Sequence, residues 1–182
     1  MSVYLYVDNS NIWIEGMRIS AVYNGMAVDI YDAMDNNILD RSWHCDFGKL
    51  LSLTGGDKSN IASARLYGSR PPQADSLWKA AERQGFDVIV YDRNFSNHEK
   101  KIDTQIVVDM LNDAFTKMKA GDEIMLVSGD SDYVPMIKQL KDMNKGYIVN
   151  VACWEHSTSP ELKSTCDNFM PLNPHLKTLS TI

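Results

Sequence analysis

The sequence has few of the features that mark secreted, membrane-bound or metal-thiolate proteins. Its three cysteines (Cys45, Cys153 and Cys166) form no C-x-x-C pair, which argues against a disulfide framework and against a thiolate zinc site. No apolar run approaches the roughly 20 residues that span a bilayer. The first apolar run meets Asp8 too early to be a signal peptide. We therefore expect a cytoplasmic protein with no membrane association.

Positive charge is also scarce. The chain has 18 Lys and Arg against 24 Asp and Glu, a formal net charge of -6. This balance argues against tight, sequence-blind nucleic-acid binding driven by counterion release, but it is compatible with a local basic strip. Glycine-rich phosphate loops are absent. The four histidines are scattered without metal-ligand spacing, and none is expected at a strand end suited to general-base chemistry.

The length and the pattern of apolar residues predict a single α/β domain over residues 1–182. Short apolar runs predict strands, and stretches of helical period separate them. The predicted strands are 3–7, 61–67, 88–91, 123–127 and 147–152, and the predicted helices start near 9 and cover 47–53, 74–84, 101–119, 132–143 and 161–169. Such alternation predicts helices on both faces of a mostly parallel sheet. For two halves wound around a switch point, the strand order would be 3-2-1-4-5.

Residues 20–45 interrupt this alternation and are expected to be an insertion. Asn24-Gly25 lies between two short apolar runs, which is a signal for a hairpin turn. The four acidic positions of the segment lack the spacing of a calcium loop and are expected to form a solvated face. These positions are Asp29, Asp32, Asp35 and Asp40.

Acidic residues follow the strands that should flank the switch point. Asp8 ends the first strand, and Asp130 and Asp132 follow the fourth. Asp103 begins the helix that leads into the fourth strand. The C-terminal ends of parallel strands share one edge, so these four carboxylates are expected to converge there. Asp109, about 120° farther around the same helix, is a secondary candidate.

Taken singly, each aspartate is explained by helix capping or turn formation. As a group they would repel one another by roughly 1–4 kcal/mol per pair. Such a group shares protons or binds a cation. Magnesium prefers oxygen ligands and combines a few carboxylates with water and substrate phosphate, so the group predicts a divalent metal site for phosphodiester chemistry.

Three segments together resemble the NYN domain in the LabA-like branch of the PIN-type nucleases. They are Val7-Asp8-Asn9-Ser10-Asn11, Lys101-Ile102-Asp103 with the helix to Asp109, and Leu126 through Tyr133 with Pro135. Ser159-Pro160-Glu161-Leu162 with Asp167 and Phe169 is similar to the last helix of that branch. The resemblance implies a Rossmann-like, PIN-like three-layer α/β/α sandwich. It also implies a ribonuclease site dependent on Mg²⁺ or Mn²⁺.

The resemblance assigns roles to individual residues of that site. Asp8 and Asp130 match core metal ligands, and Asp103 and Asp132 match ligands that bind directly or through water. Asn11 matches a polar residue that orients the site. Asp8, Asp103, Asp130 and Asp132 are thus the expected catalytic and metal-binding residues.

Substrate contacts are expected around the carboxylates. Asn11 and Ser128 are polar candidates, and Arg70, Arg93 and Lys101 are candidates for holding RNA phosphates, although surface solubility explains these three cations equally well.

Three functions fit these residues. The first is a metal-dependent endoribonuclease that acts on RNA, with single-stranded RNA favoured. The second is a catalytically silent NYN-fold module that binds RNA or protein, and the third is a phosphatase for a small phosphoester. The 20–45 segment is expected to shield the cleft or to mediate pairing into a homodimer.

Overall fold

The computed structural model describes residues 1–70, 75–92 and 98–181, and in these ranges the side chains of residues 70, 92 and 98–100 are left undescribed. The strands are β1 Val3–Asp8, β2 Ile61–Arg70, β3 Asp87–Asp92, β4 Glu123–Val127, β5 Ile148–Cys153 and β6 Asn168–Pro171. The helices are α1 Asn9–Tyr23, α2 Ile30–Asp35, α3 Phe47–Gly55, α4 Ser76–Gln84, α5 His98–Thr116, α6 Val134–Asp142 and α7 Pro160–Thr165.

The strands form one parallel sheet in the order β3-β2-β1-β4-β5-β6. The α/β fold and the predicted order 3-2-1-4-5 are confirmed, and β6 adds a sixth strand at the edge. The chain reverses its direction of winding between β1 and β4. Their C-terminal ends therefore border the crevice in which ligands bind in such sheets.

The central strand β1 shows why the sheet is covered on both faces. Its side chains alternate between two apolar cores, because successive residues of a strand point to opposite faces. Val3, Leu5 and Val7 pack with residues of α1, α3 and α4, whereas Tyr4 and Tyr6 pack with residues of α5, α6 and α7. The run predicted as a buried strand is buried along its whole length.

Helix α5 is held to the sheet by buried hydrogen bonds as well as by its apolar stripe. The Tyr6 hydroxyl donates to the fully buried Asp113 at 2.7 Å, and the Arg65 guanidinium from β2 pairs with the same carboxylate. Burial raises the pKa of Asp113, but the bonds from Arg65 and its other partners outweigh that effect and hold this pKa below its usual range. One turn earlier in the helix, Tyr67 donates to Asp109 at 2.8 Å. These bonds fix α5 against β1 and β2.

The hairpin predicted around Asn24-Gly25 is wrong. Residues 21–23 complete α1, Asn24 caps that helix, and Gly25 takes a φ of 71°. Helices commonly end next to a residue with positive φ, and glycine adopts this conformation without strain. An Asn-Gly pair therefore suits the end of a helix as well as it suits a hairpin turn. The amides of Met26 and Ala27 then bond back to Ala21.

Asp40 also differs from its prediction. Its side chain is 6% exposed rather than solvated. It accepts hydrogen bonds from Ser20, Asn24 and Ser42, and these, led by Ser20, lower the pKa of Asp40 to about 2. Asp40 thereby ties the segment after α2 to the end of α1.

The last predicted helix is shorter than expected. Ser159 caps α7 by accepting from the Leu162 amide at 3.0 Å, and α7 ends at Thr165. Asn168 and Phe169, predicted as helical, belong to β6 and pair with β5. Within the described ranges, no helix has the length and apolar character needed to cross a membrane.

Replacing Arg65 with methionine tests how strongly α5 is anchored. Arg65→Met leaves the buried Asp113 charge with fewer partners, and we expect a loss of about 3 kcal/mol in the free energy of unfolding, measured by urea denaturation. The matched control is Lys138→Met, which removes an exposed ion pair with Glu161 and should cost less than about 1 kcal/mol. Equal losses in the two variants would contradict the anchoring role.

Candidate metal centre

The first carboxylate of the site is built into the junction between β1 and α1. Asp8 is 3% exposed and caps α1. One oxygen accepts from the amide and hydroxyl of Ser10, and the other accepts from Asn11 Nδ2 at 2.9 Å and from Ser128 Oγ at 3.3 Å. Asp8, at the end of β1, is therefore held by neutral donors from the start of α1 and from Ser128, which directly follows β4.

The loop after β4 supplies two further carboxylates. Asp130 Oδ1 accepts from the Asp132 amide at 2.9 Å and so caps the short 3-10 turn Ser131–Tyr133. Gly129 is needed one residue earlier, because a Cβ there would lie 2.2 Å from the carbonyl oxygen of Ser157. The loop thus packs directly against the chain that follows β5.

The fourth carboxylate comes from α5, which packs on the face of the sheet opposite to α1. Asp103 Oδ1 accepts a 2.9 Å hydrogen bond from the hydroxyl of Tyr133, which is fully buried. Burial, followed by the nearby carboxylates, raises the pKa of Tyr133, so its hydroxyl stays protonated and remains a donor. Tyr133 therefore links the loop after β4 to the start of α5.

Asp103, Asp130 and Asp132 each place one carboxylate oxygen within 4.8 Å of the others. Burial raises the pKa of Asp103, the Tyr133 hydrogen bond lowers it, and the charges of Asp8, Asp130 and Asp132 raise it again, to a net value of about 6. The donor set is entirely oxygen, which suits a hard divalent cation such as Mg²⁺ that keeps water among its ligands. The residues present therefore fit a metal ion of this class.

The predicted site residues other than Asp103, Asp130 and Asp132 fall into three groups. Asp8, Asn11 and Ser128 form one hydrogen-bonded set, and its carboxylate acts on the charge of Asp103. Lys101 is exposed, two residues before Asp103 on α5. Arg93 lies outside the described residues, and for Arg70 only the backbone at the end of β2 is described.

The secondary candidate Asp109 is not part of the described carboxylate group. It accepts from Tyr67 at 2.8 Å and from Gln105 at 2.9 Å, so its bonds hold α5 in place.

Sequence reasoning missed two residues next to the cluster. Tyr133 was noted only as part of a motif, although its hydroxyl orients Asp103. His156 was expected to serve on the surface or in the core, yet it follows β5 by three residues and lines a groove beside Asp130. The expected crowding of carboxylates around Asp103 could have suggested a nearby hydrogen-bond donor such as Tyr133. Nothing in the sequence around His156 indicates that it lies beside the site.

Comparison with known families identifies the family to which the chain belongs. The family model of the NYN domain matches residues 34–173, well over half of the chain. The chain belongs to the NYN domain family. This NYN domain lies in the PIN-like nuclease superfamily, and the match contains Asp103, Asp130 and Asp132. It begins after Asp8, within the segment predicted as an insertion.

A solved structure has the same fold as this NYN domain. The crystal structure of a protein of unknown function from Vibrio parahaemolyticus superposes with a TM-score of 0.67, and the alignment covers 94% of this chain and 92% of that one. The two sequences are 18% identical, so the likeness concerns the fold alone. The search of curated proteins gave no significant match.

The raised pKa of Asp103 predicts how stability depends on pH. Below about pH 4 the carboxyl is protonated in both the folded and the unfolded chain. Above about pH 6 it is ionised in both, and its repulsion by the neighbouring carboxylates in the folded state is then fully present. Its contribution to stability therefore falls as the pH rises through this window. We expect Asp103→Asn to melt above wild type at pH 7.5 without divalent ions, and the difference to vanish near pH 4.

Asp35→Asn is the control for this comparison, because it removes one negative charge from an exposed site on α2. Thermal melts followed by circular dichroism give the two differences. A difference in melting temperature between Asp103→Asn and wild type that is constant across the pH range would contradict the raised pKa of Asp103.

Proposed function

We propose that the chain is a metal-dependent endoribonuclease of the LabA-like branch, which hydrolyses phosphodiester bonds of single-stranded RNA with Mg²⁺ or Mn²⁺. The observation that carries this proposal is the group Asp103, Asp130 and Asp132 at the switch point of an NYN fold. Such a group is costly to assemble unless a cation neutralises it. Membership of the NYN family supports a nuclease activity, and the group of carboxylates supports a divalent metal ion as its cofactor.

Asp103, Asp130 and Asp132 would hold the ion, with Asp8 as the fourth acidic residue of the site. When bound, a divalent ion supplies an activated water nucleophile and neutralises charge on the phosphodiester. Asp8 already has four hydrogen bonds from neutral donors, so it contributes its charge from a fixed position.

The remaining residues orient the site and attract the substrate. Tyr133 fixes the carboxylate of Asp103, and Asn11 and Ser128 fix that of Asp8. Lys101 is exposed two residues before Asp103, where its ammonium can bind a backbone phosphate of the RNA. Arg70 and Arg93 remain proposed partners of the same kind.

Attack by water leaves a 5′-phosphate on the downstream product. Attack by the 2′-hydroxyl of the substrate would instead leave a cyclic phosphate, and that route relies on a general base near the hydroxyl. An all-carboxylate site favours the first route.

A divalent cation should stabilise the fold. An ion that binds only the native cluster adds RT ln(1 + [L]/Kd), about 2.7 kcal/mol at one hundred times Kd. We expect the melting temperature of wild type to rise with millimolar Mg²⁺ or Mn²⁺, and the response to disappear in Asp130→Asn. The asparagine still caps the turn at Ser131, so the variant should remain folded.

Asp35→Asn should respond to the ions as wild type does, since this residue is exposed on α2 outside the cluster. A melting temperature that is indifferent to both ions in wild type, or equally responsive in Asp130→Asn, would count against the proposed metal site.

Cleavage of RNA is the direct test of the function. Purified wild type with Mn²⁺ should cut single-stranded RNA oligonucleotides and leave 5′-phosphate ends, and chelation should stop the reaction. Asp130→Asn should lower the rate by orders of magnitude, because it removes a charged ligand from the group.

End-group analysis of the products separates hydrolysis from cyclic-phosphate formation. If wild type cuts no RNA that Asp130→Asn leaves intact, the catalytically silent binding module replaces the enzyme as the better account of the fold.

A further inference from the structure

An open groove of about 410 Å³ lies between the start of α1 and the chain that follows β5. It is continuous with the carboxylate group, because Asp130 belongs to both and Asn11 bonds to Asp8. A nucleotide next to a phosphodiester held at the carboxylates would therefore reach this groove. The lining residues are Asn11, Gly129, Asp130, Ser131 and residues 156–160.

The groove has a wall that the fold holds in place. The Ser159 amide donates to the carbonyl of Gly129 at 3.0 Å, and the indole of Trp154 donates to the carbonyl of Ile12 at 3.0 Å. Gly129 also lies too close to the Ser157 carbonyl for any side chain. The loops after β4 and β5 and the first turns of α1 are thus joined to one another, as a preformed binding site requires.

His156 is the unusual member of this wall. Its Nε2 lies 2.7 Å from Glu15 on α1, and Glu15 also pairs with Arg18. The side chain of His156 is 10% exposed, and its buried Nδ1 has no hydrogen-bond partner among the described atoms. Native proteins pair nearly all buried polar atoms, so this buried nitrogen, which belongs to a residue that lines the groove, is a position at which a hydrogen-bond partner is expected.

The chemistry of the lining favours a sugar over a phosphate. Among the described residues that line the groove, none is lysine or arginine, and Asp130 contributes a negative charge. Hydroxyl, amide and imidazole groups instead complement a neutral polar ligand. A hydroxyl suits Nδ1 in either protonation state of the ring, because it both donates and accepts hydrogen bonds.

We propose that this groove binds the ribose of a nucleotide flanking the scissile phosphodiester, and that His156 reads its 2′-hydroxyl and thereby makes the site selective for RNA over DNA. The inference rests on the proposed nuclease function and names the part of the substrate that the site recognises. Because Nδ1 is covered in this conformation, the contact requires a side-chain adjustment in the 156–158 turn. The 2′-hydroxyl is the group by which a protein distinguishes the two nucleic acids.

The test uses RNA oligonucleotides with a single 2′-deoxy substitution at each position in turn, cut by the full chain with Mn²⁺. We expect one position beside the cleavage site at which the substitution lowers kcat/KM about tenfold, the effect of one lost hydrogen bond. His156→Gln keeps an amide near the position of Nε2, facing Glu15, but has no group at Nδ1. It should still cut all-RNA substrate and should lose the tenfold discrimination.

His156→Asn is the matched control, since its amide lies near the position of Nδ1 and no longer reaches Glu15. It should retain discrimination and melt at a lower temperature. The opposite order, with discrimination kept in His156→Gln and lost in His156→Asn, would show that His156 only holds Glu15 and would overturn the inference. A 2′-hydroxyl that acted as the nucleophile would be required equally in every variant, and that result would overturn it as well.

Failure of the proposed function gives a different result. If wild type cuts no RNA, binding of short fluorescein-labelled RNA and DNA oligonucleotides is measured by anisotropy instead. Tighter binding of RNA that disappears in His156→Gln would support the ribose site without catalysis, and equal binding of RNA and DNA would refute it.

Discussion

Repulsion among carboxylates at one end of the sheet is the constraint around which this NYN domain is organised. Asp103 comes from α5, and Asp130 and Asp132 come from the loop after β4, yet one oxygen of each lies within 4.8 Å of the others. No lysine or arginine is paired with them among the described contacts. Neutral donors hold Asp103 and Asp130, and the energy that opposes the repulsion comes from the two apolar cores on either side of the sheet. A site of this kind keeps its charge available for a cation.

The sequence predicted the features that depend on a short stretch of chain. β1 is a buried apolar run ended by an aspartate, and a strand of that kind can be recognised without knowledge of its neighbours. The strand order followed from the rule for doubly wound sheets, and the order placed Asp8 near Asp130. The predicted convergence of Asp103 with Asp130 and Asp132 agrees with their geometry in the fold, whereas their roles as ligands remain predictions.

The features that escaped prediction depend on contacts distant in sequence or on signals with two meanings. Asn-Gly serves a helix end as well as a hairpin, and only the packing of α1 decided between them. Asp40 is buried because Ser20 and Asn24 surround it, which no local pattern reveals. His156 acquires its significance from Glu15, 141 residues away.

Helix α5 is joined to the rest of the domain through three tyrosine–aspartate hydrogen bonds along its length. They are Tyr133 with Asp103, Tyr67 with Asp109, and Tyr6 with Asp113. Each hydroxyl meets one carboxylate, so a shift of the helix by a single turn would break all three bonds together. These polar contacts thereby specify the register of α5 together with its apolar stripe. Changes elsewhere in the chain, in the segment after α1 for example, can therefore accumulate without moving Asp103 relative to the crevice.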